Sequence, residues 1–132
     1  MPNYWLVKTE PSTYSFDDLK REGVATWDGV KNPVAMKHLR AMQAGDELFV
    51  YHTGKEKSII GTATVVAAGD PPKFKAKGLL ARPVTLAEIK ADKTFADLAL
   101  VRIGRLSVQP VPAPQFRKIL TLGGETSGGP RR

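Results

Sequence analysis

The sequence predicts an α+β fold, a β-barrel with short peripheral helices. Three features of the chain predict it. Runs of aromatic and β-branched residues are short and are cut by Gly and Pro. The helical segments between them are small, and two of them open on capping boxes, Ser15 to Asp18 and Thr85 to Glu88. A doubly wound sheet needs longer, regularly alternating helices than these 132 residues supply. That length suits one domain, expected over 1–122, with a flexible Gly-rich tail over 123–132.

Taken in order, Tyr4 to Lys8 reads as a strand, closed by Thr9-Glu10-Pro11. Ser15 caps a brief helix that Gly23 ends. Asn32 caps a second helix, with Pro33 in its first position, where a missing N–H costs nothing. Ala35, Met36, Leu39 and Met42 form its apolar face, and Gly45 stops it. Strands follow at Glu47 to His52 and Ile59 to Ala68, with Gly61 a bulge or a point of close approach. Gly69-Asp70-Pro71-Pro72 is a break, and the basic Lys73 to Lys77 reads at most as an edge strand. Thr85 opens a short helix through Lys90, and Phe95 to Leu100 a further turn. Val108 to Val111 is a last edge strand, and Pro114 to Leu122 a closing helix.

The chain has no cysteine, so disulfides, thiolate nucleophiles and thiolate metal ligands are all excluded. Its two His leave any metal site dependent on carboxylates, and none is expected; no cofactor is expected either. Charges interrupt every apolar run, and no secretory signal opens the chain, so a cytoplasmic protein without a membrane partner is expected. Twenty Lys and Arg against 13 Asp and Glu give +7, an excess that attracts polyanions or simply keeps a small protein soluble.

No Gly-x-Ser-x-Gly, His-Glu-x-x-His or phosphate-loop motif is present. His52 at a strand end, oriented by Glu10, is the one acid–base pair on offer, against the commoner reading of a hydrogen-bonded structural histidine. Trp27 leads into an Asp-Gly turn, so its ring either covers a core edge or walls a pocket for something flat. Tyr51 is a second candidate wall or else a core residue. Lys8, Thr9, Asn32, His52 and Thr53 are candidate readers of a base edge, since their donors and acceptors lie at strand ends and a helix start. Each has a plainer alternative: Asn32 as a cap alone, Lys8 and Arg105 as solvated charges.

The run Tyr4-Trp5-Leu6-Val7-Lys8-Thr9-Glu10-Pro11 is followed by Tyr14-Ser15, Asp18-Leu19, Trp27-Asp28-Gly29-Val30, Asn32, Leu39-Arg40, Gly45-Asp46, Tyr51-His52 and Arg105 to Val111. Together, from about Asn3 to Leu122, these resemble the EVE domain family. The resemblance implies a PUA-like, mixed or antiparallel barrel related to the ASCH and YTH modules. It also implies non-catalytic recognition of a modified base in DNA or RNA, by a chain expected to be monomeric. On this resemblance Trp27 is the aromatic wall, Lys8 and Thr9 the pocket floor, and Asn32 a base-reading polar group. Tyr51, His52 and Thr53 match a Tyr-His-Ser segment with Thr in place of Ser, and Arg105, Leu106 and Ser107 match the loop beside the pocket.

The chain departs from the family over Gly69 to Arg82, which is short, basic and lacks Trp. Either a barrel strand is curtailed there or a loop is missing, which puts barrel closure in question. Two other functions compete with base recognition. One is an enzyme acting on a nucleotide or small metabolite through His52 and Glu10; the other is a protein-interaction module with a basic surface.

Overall fold

The computed structural model describes residues 3–124. Six strands form one curled mixed sheet, a half-barrel with short helices on both faces. The strands are β1 (Tyr4–Thr9), β2 (Val24–Thr26), β3 (Glu47–His52), β4 (Ser58–Ala67), β5 (Lys73–Thr85) and β6 (Val108–Pro110). The helices are α1 (Phe16–Glu22), α2 (Pro33–Ala41), α3 (Leu86–Ala91), α4 (Ala99–Arg102) and α5 (Ala113–Leu122), with a 3-10 turn at Lys93–Phe95. The strand order is β2-β5-β4-β3-β1-β6, and only β1 and β3 run parallel.

Side chains alternate across a strand, and here both faces of the sheet are covered. Trp5 and Val7 of β1, Leu48 and Val50 of β3, and Ala63 and Val65 of β4 join Phe16, Leu19, Ala35, Leu39 and Met42 in one core. Leu6, Phe49, Tyr51 and Ile59 point the other way, into a second core with Ile89, Phe95, Leu100, Phe116 and Ile119. β1, β3 and β4 therefore read as nearly unbroken apolar runs, and α1 and α2 are segregated from α3 to α5.

The expected start signals at Ser15 and Asn32 and the stop at Gly23 operate as written, whereas α2 ends at Ala41 with Met42 as its C-cap, ahead of Gly45. Ser15 accepts from Asp18 N–H while the Asp18 carboxylate accepts from Ser15 N–H, a complete capping box, and Gly23 at φ 79° closes α1. Asn32 Oδ1 accepts from Ala35 N–H at 3.0 Å to start α2. At Thr85 only half of the box forms: Thr85 Oγ1 accepts from Glu88 N–H (3.1 Å), while the Glu88 carboxylate accepts from Arg82 (2.8 Å) and from the Thr85 hydroxyl (3.1 Å). Asp46, buried in the turn after α2, accepts from Trp5 Nε1 (2.9 Å), Asn3 N–H (3.0 Å) and Gln43 N–H (3.0 Å), pinning β1 to the loop before β3.

One expectation is corrected. Lys73 to Lys77 is no edge strand: it begins a 13-residue strand, paired to β2 through Lys73–Lys75 and to β4 along most of its length. No strand is curtailed over Gly69 to Arg82, because β5 spans that region. Of the expected tail, only Gly123 and Gly124 are described. Gly123 is buried, its carbonyl accepts from Arg82 N–H (3.1 Å), and a Cβ on it would stand 2.8 Å from Leu80. Packing thus continues past Leu122, and the rest of the expected tail, 125–132, lies outside the described residues. Gly61 is a point of close approach: a Cβ there would meet Gly78 O at 2.7 Å and the Phe16 ring at 2.8 Å.

Candidate functional site

The C-terminal end of β1 is the centre of the site. β1 lies between β3 and β6, so Lys8 stands beside Tyr51, Thr9 beside His52, and Lys8 N–H donates to Ser107 O at 2.9 Å. The strand ends there at Glu10-Pro11, and the surface falls away on either side into two hollows that share Lys8, Thr9, Glu10 and Ser107.

The first hollow, about 860 Å³, lies against Trp27, with Tyr14, Thr26, Asp28 and Lys31 also on its walls. The β2–β5 ladder continues into Trp27, whose N–H donates to Pro72 O at 2.9 Å. Gly29, at φ 81° in the region that favours glycine, then turns the chain toward α2. The indole is 8% exposed, tilted against Phe74 (5.3 Å between ring centres) and met edge-on by Tyr14 (5.8 Å). Trp27 is thus a core residue that also borders the hollow, with little of its surface exposed there. The Tyr14 hydroxyl donates to Glu22. Burial, reinforced by that carboxylate, pushes the phenol well above its ordinary range, so it stays protonated.

The second hollow, about 480 Å³, has Tyr51 in its wall with Thr53, Lys57, Lys90 and Arg105. The Lys8 ammonium sits 5.5 Å over the Tyr51 ring and donates to Gly104 O at 2.6 Å. Partial burial holds that ammonium below the usual lysine range, and burial pushes the Tyr51 phenol up. Glu10, on the ridge between the hollows, accepts from Ser12 N–H (3.2 Å), the Ser12 hydroxyl (3.0 Å) and the Thr53 hydroxyl (3.3 Å). Those bonds, led by the Ser12 amide, hold its carboxyl below the ordinary range, so it is ionised at neutral pH.

The ten residues expected at one site are therefore distributed. Lys8, Thr9, Trp27 and Ser107 line the first hollow, and Lys8, Thr9, Tyr51, Thr53, Arg105 and Ser107 the second. Asn32, His52 and Leu106 line neither. Asn32 is spent on capping α2, and Leu106 is buried in the first core. His52 is 6% exposed; its Nε2 accepts from Phe16 N–H at 3.0 Å, and its Nδ1 lies 2.9 Å from Glu56. The basic lone pair is committed to the backbone, and the orienting carboxylate is Glu56 rather than Glu10. The pair required for acid–base work is not assembled. Sequence reasoning missed Tyr14, Lys31, Lys57 and Lys90. Tyr14 lies within a stretch of matching residues, but the lysines have no local signal.

Among the described residues no cluster of His, Asp and Glu is grouped to hold a metal ion, and no helix is long and apolar enough to cross a membrane.

Comparison with known proteins places this geometry. The chain is 30% identical to mouse thymocyte nuclear protein 1 over 167 aligned positions, covering 92% of this chain and 74% of that one. Those 167 positions exceed the 132 residues present here, so the mouse protein carries chain without a counterpart in this one. A solved Rhodopseudomonas palustris protein superposes with a TM-score of 0.88 at 38% identity, over 98% of this chain and 99% of that one. Human THYN1, solved in complex with DNA containing 5-methylcytosine, superposes with a TM-score of 0.82 at 27% identity, over 93% and 98%. Residues 3–122 match the EVE domain, and the chain belongs to the EVE domain family.

Proposed function

We propose that this protein binds nucleic acid without catalysis and accepts a single base, modified at its edge, in the hollow beside Trp27. The observation that carries the proposal is the hollow's make-up. The Trp27 indole and the Tyr14 ring supply apolar contact, and Thr9, Ser107 and the carboxylates of Glu10 and Asp28 stand around them. Carboxylates and hydroxyls suit the exocyclic amino group of cytosine or adenine. The relative solved with 5-methylcytosine DNA supports the same reading. A methyl group buried against Trp27 contributes about 0.8 kcal/mol, a preference of roughly fourfold over unmodified cytosine. The base must be unstacked to enter, so single strands or distorted duplexes are the favoured partners.

His52 engaged on both ring nitrogens favours this over an enzyme. The test is a titration of single-stranded DNA and RNA carrying cytosine, 5-methylcytosine or N6-methyladenine at one central position, followed by tryptophan fluorescence at low salt. A modified strand binds more tightly than its unmodified twin; absence of binding across the whole panel rejects the proposal. Turnover of a nucleotide that is lost in His52→Ala would restore the enzymatic reading.

A further inference from the structure

The two hollows differ in sign. Lys8 and Lys31 face Glu10, Glu22 and Asp28 around the Trp27 hollow. Around the second hollow Lys8, Lys57, Lys90 and Arg105 face Glu10 alone. None of these four cations forms an ion pair with a carboxylate among the described residues, whereas Arg21, Arg40, Lys77, Arg82 and Lys118 each do. Like charges gathered around one cavity repel one another and focus a positive potential into it, which an entering anion relieves. The rims are held by the fold: Lys57 O accepts from Leu86 N–H at 2.8 Å, tying the Lys57 loop to the start of α3, which carries Lys90. Lys8 is anchored across the hollow on Gly104 O, beside Arg105.

We infer that the second hollow seats the phosphodiester flanking the base held beside Trp27, with Lys57, Lys90 and Arg105 as its charge partners. The inference rests on the base-binding reading of the Trp27 hollow. The acidic hollow takes the uncharged base and the basic one the charged backbone, and Glu10 on the shared ridge keeps the phosphate from sliding toward Trp27. Arg105 presents a planar fork suited to two phosphate oxygens, and the lysines act as point charges.

The decisive variant is the double substitution Lys57→Ala/Lys90→Ala, since neither residue lines the Trp27 hollow. Its affinity for a single-stranded oligonucleotide with one central 5-methylcytosine is measured by anisotropy from 50 to 200 mM KCl. Affinity falls about tenfold, and the slope of log K against log salt flattens by about 0.7, the value for one phosphate neutralised on a single strand. In the unsubstituted protein, an uncharged methylphosphonate at one of the two linkages flanking the 5-methylcytosine costs a similar factor, and in the double variant, which keeps Arg105, it costs clearly less. Lys20→Ala/Lys37→Ala, which removes two cations lining neither hollow, changes affinity less than twofold. Unchanged affinity and slope in Lys57→Ala/Lys90→Ala, or an equal loss in the control pair, overturns the phosphate seat while the base reading stands. Failure of the unsubstituted protein to bind the strand removes both. If 5-methyldeoxycytidine monophosphate binds as tightly as the oligonucleotide and loses the same factor in the double variant, the seat belongs to a mononucleotide, and the flanking assignment is overturned.

Discussion

Trp27→Phe separates the two duties of that indole. The ring is almost wholly enclosed, against Phe74 on one side and Tyr14 on another, so truncation to Ala opens a core cavity as well as removing a pocket wall. Such a truncation costs about 3–5 kcal/mol. Against a total stability of about 5–15 kcal/mol, lost binding in that variant would be uninterpretable. Phe keeps an aromatic ring on Phe74 and gives up only the larger indole outline. It is expected to cost about 1–2 kcal/mol of stability in urea unfolding, leaving a folded protein. Stacking on an aromatic contributes about 1–3 kcal/mol per base; because only 8% of the residue is exposed here, the expected loss is near 1 kcal/mol, roughly fivefold in Kd. Fluorescence supplies an internal control. The only other tryptophan, Trp5, is buried with its Nε1 on Asp46 and lines neither hollow at the β1 end. In Trp27→Phe the change in emission on adding a 5-methylcytosine oligonucleotide therefore disappears while Trp5 still reports a folded core. Wild-type affinity together with a wild-type emission change would refute the placement of the base at Trp27.

Asp46→Ala leaves the buried Trp5 Nε1–H and two backbone N–H groups without their acceptor; a loss of about 3–5 kcal/mol is expected in denaturant titration, with base affinity preserved at temperatures where the variant is folded. Gly61→Ala drives a methyl into Gly78 O and the Phe16 ring, and since one obstacle is backbone, a loss of about 1–3 kcal/mol is expected in the same titration. Asp92, beside the Lys118 ammonium and the Thr94 hydroxyl and amide, has its carboxyl lowered to about 2 from an ordinary 3.8. A depressed folded pKa gives stability that is present above the unfolded value and lost as pH falls through the folded one. Asp92→Asn therefore melts below the wild type at pH 6, and the difference in Tm narrows between pH 4 and pH 2. A constant difference over that range would assign the effect of the substitution to something other than this carboxylate's charge.

Legibility in the sequence followed the range of the interaction. The capping box at Ser15, the Asn32-Pro33 start and the Gly23 stop are decided within one helical turn, and each was readable. β5 was not. Phe74 and Leu80 are buried and Ala76 and Gly78 half-buried, in alternation with the exposed Lys73, Lys75, Lys77 and Leu79, but Ala76 and Gly78 are too small to mark a buried face. The register also shifts between Ile59 and Gly61, between Thr62 and Ala63, and between Val65 and Ala67, which breaks the period. β2, three residues long, exists only because β5 is there to receive it. Of the residues lining the two hollows, Lys8, Thr9, Trp27, Tyr51, Thr53, Arg105 and Ser107 are those the chain motifs point to. The split into two hollows was hidden, because it arises from the ridge at Glu10, where segments about 45 and 100 residues away converge on β1. Asn32 and His52 carry polar groups of the right kind, but the backbone of α2 and of α1 consumes them.

The position of β1 also bears on how the protein is made. As the chain leaves the ribosome, its first strand emerges long before either neighbour: β3 follows some 40 residues later, and β6 only near Val108. At a synthesis rate of about 5–20 residues per second, Lys8 and Thr9 wait several seconds for the carbonyl of Ser107 to appear. The end of the sheet at Lys8 and Thr9 is consequently completed late, shortly before α5 emerges to close the second core. A nascent chain held short of β6 would carry Lys8 and Thr9 without Ser107 beside them, so neither hollow is complete until that segment has emerged.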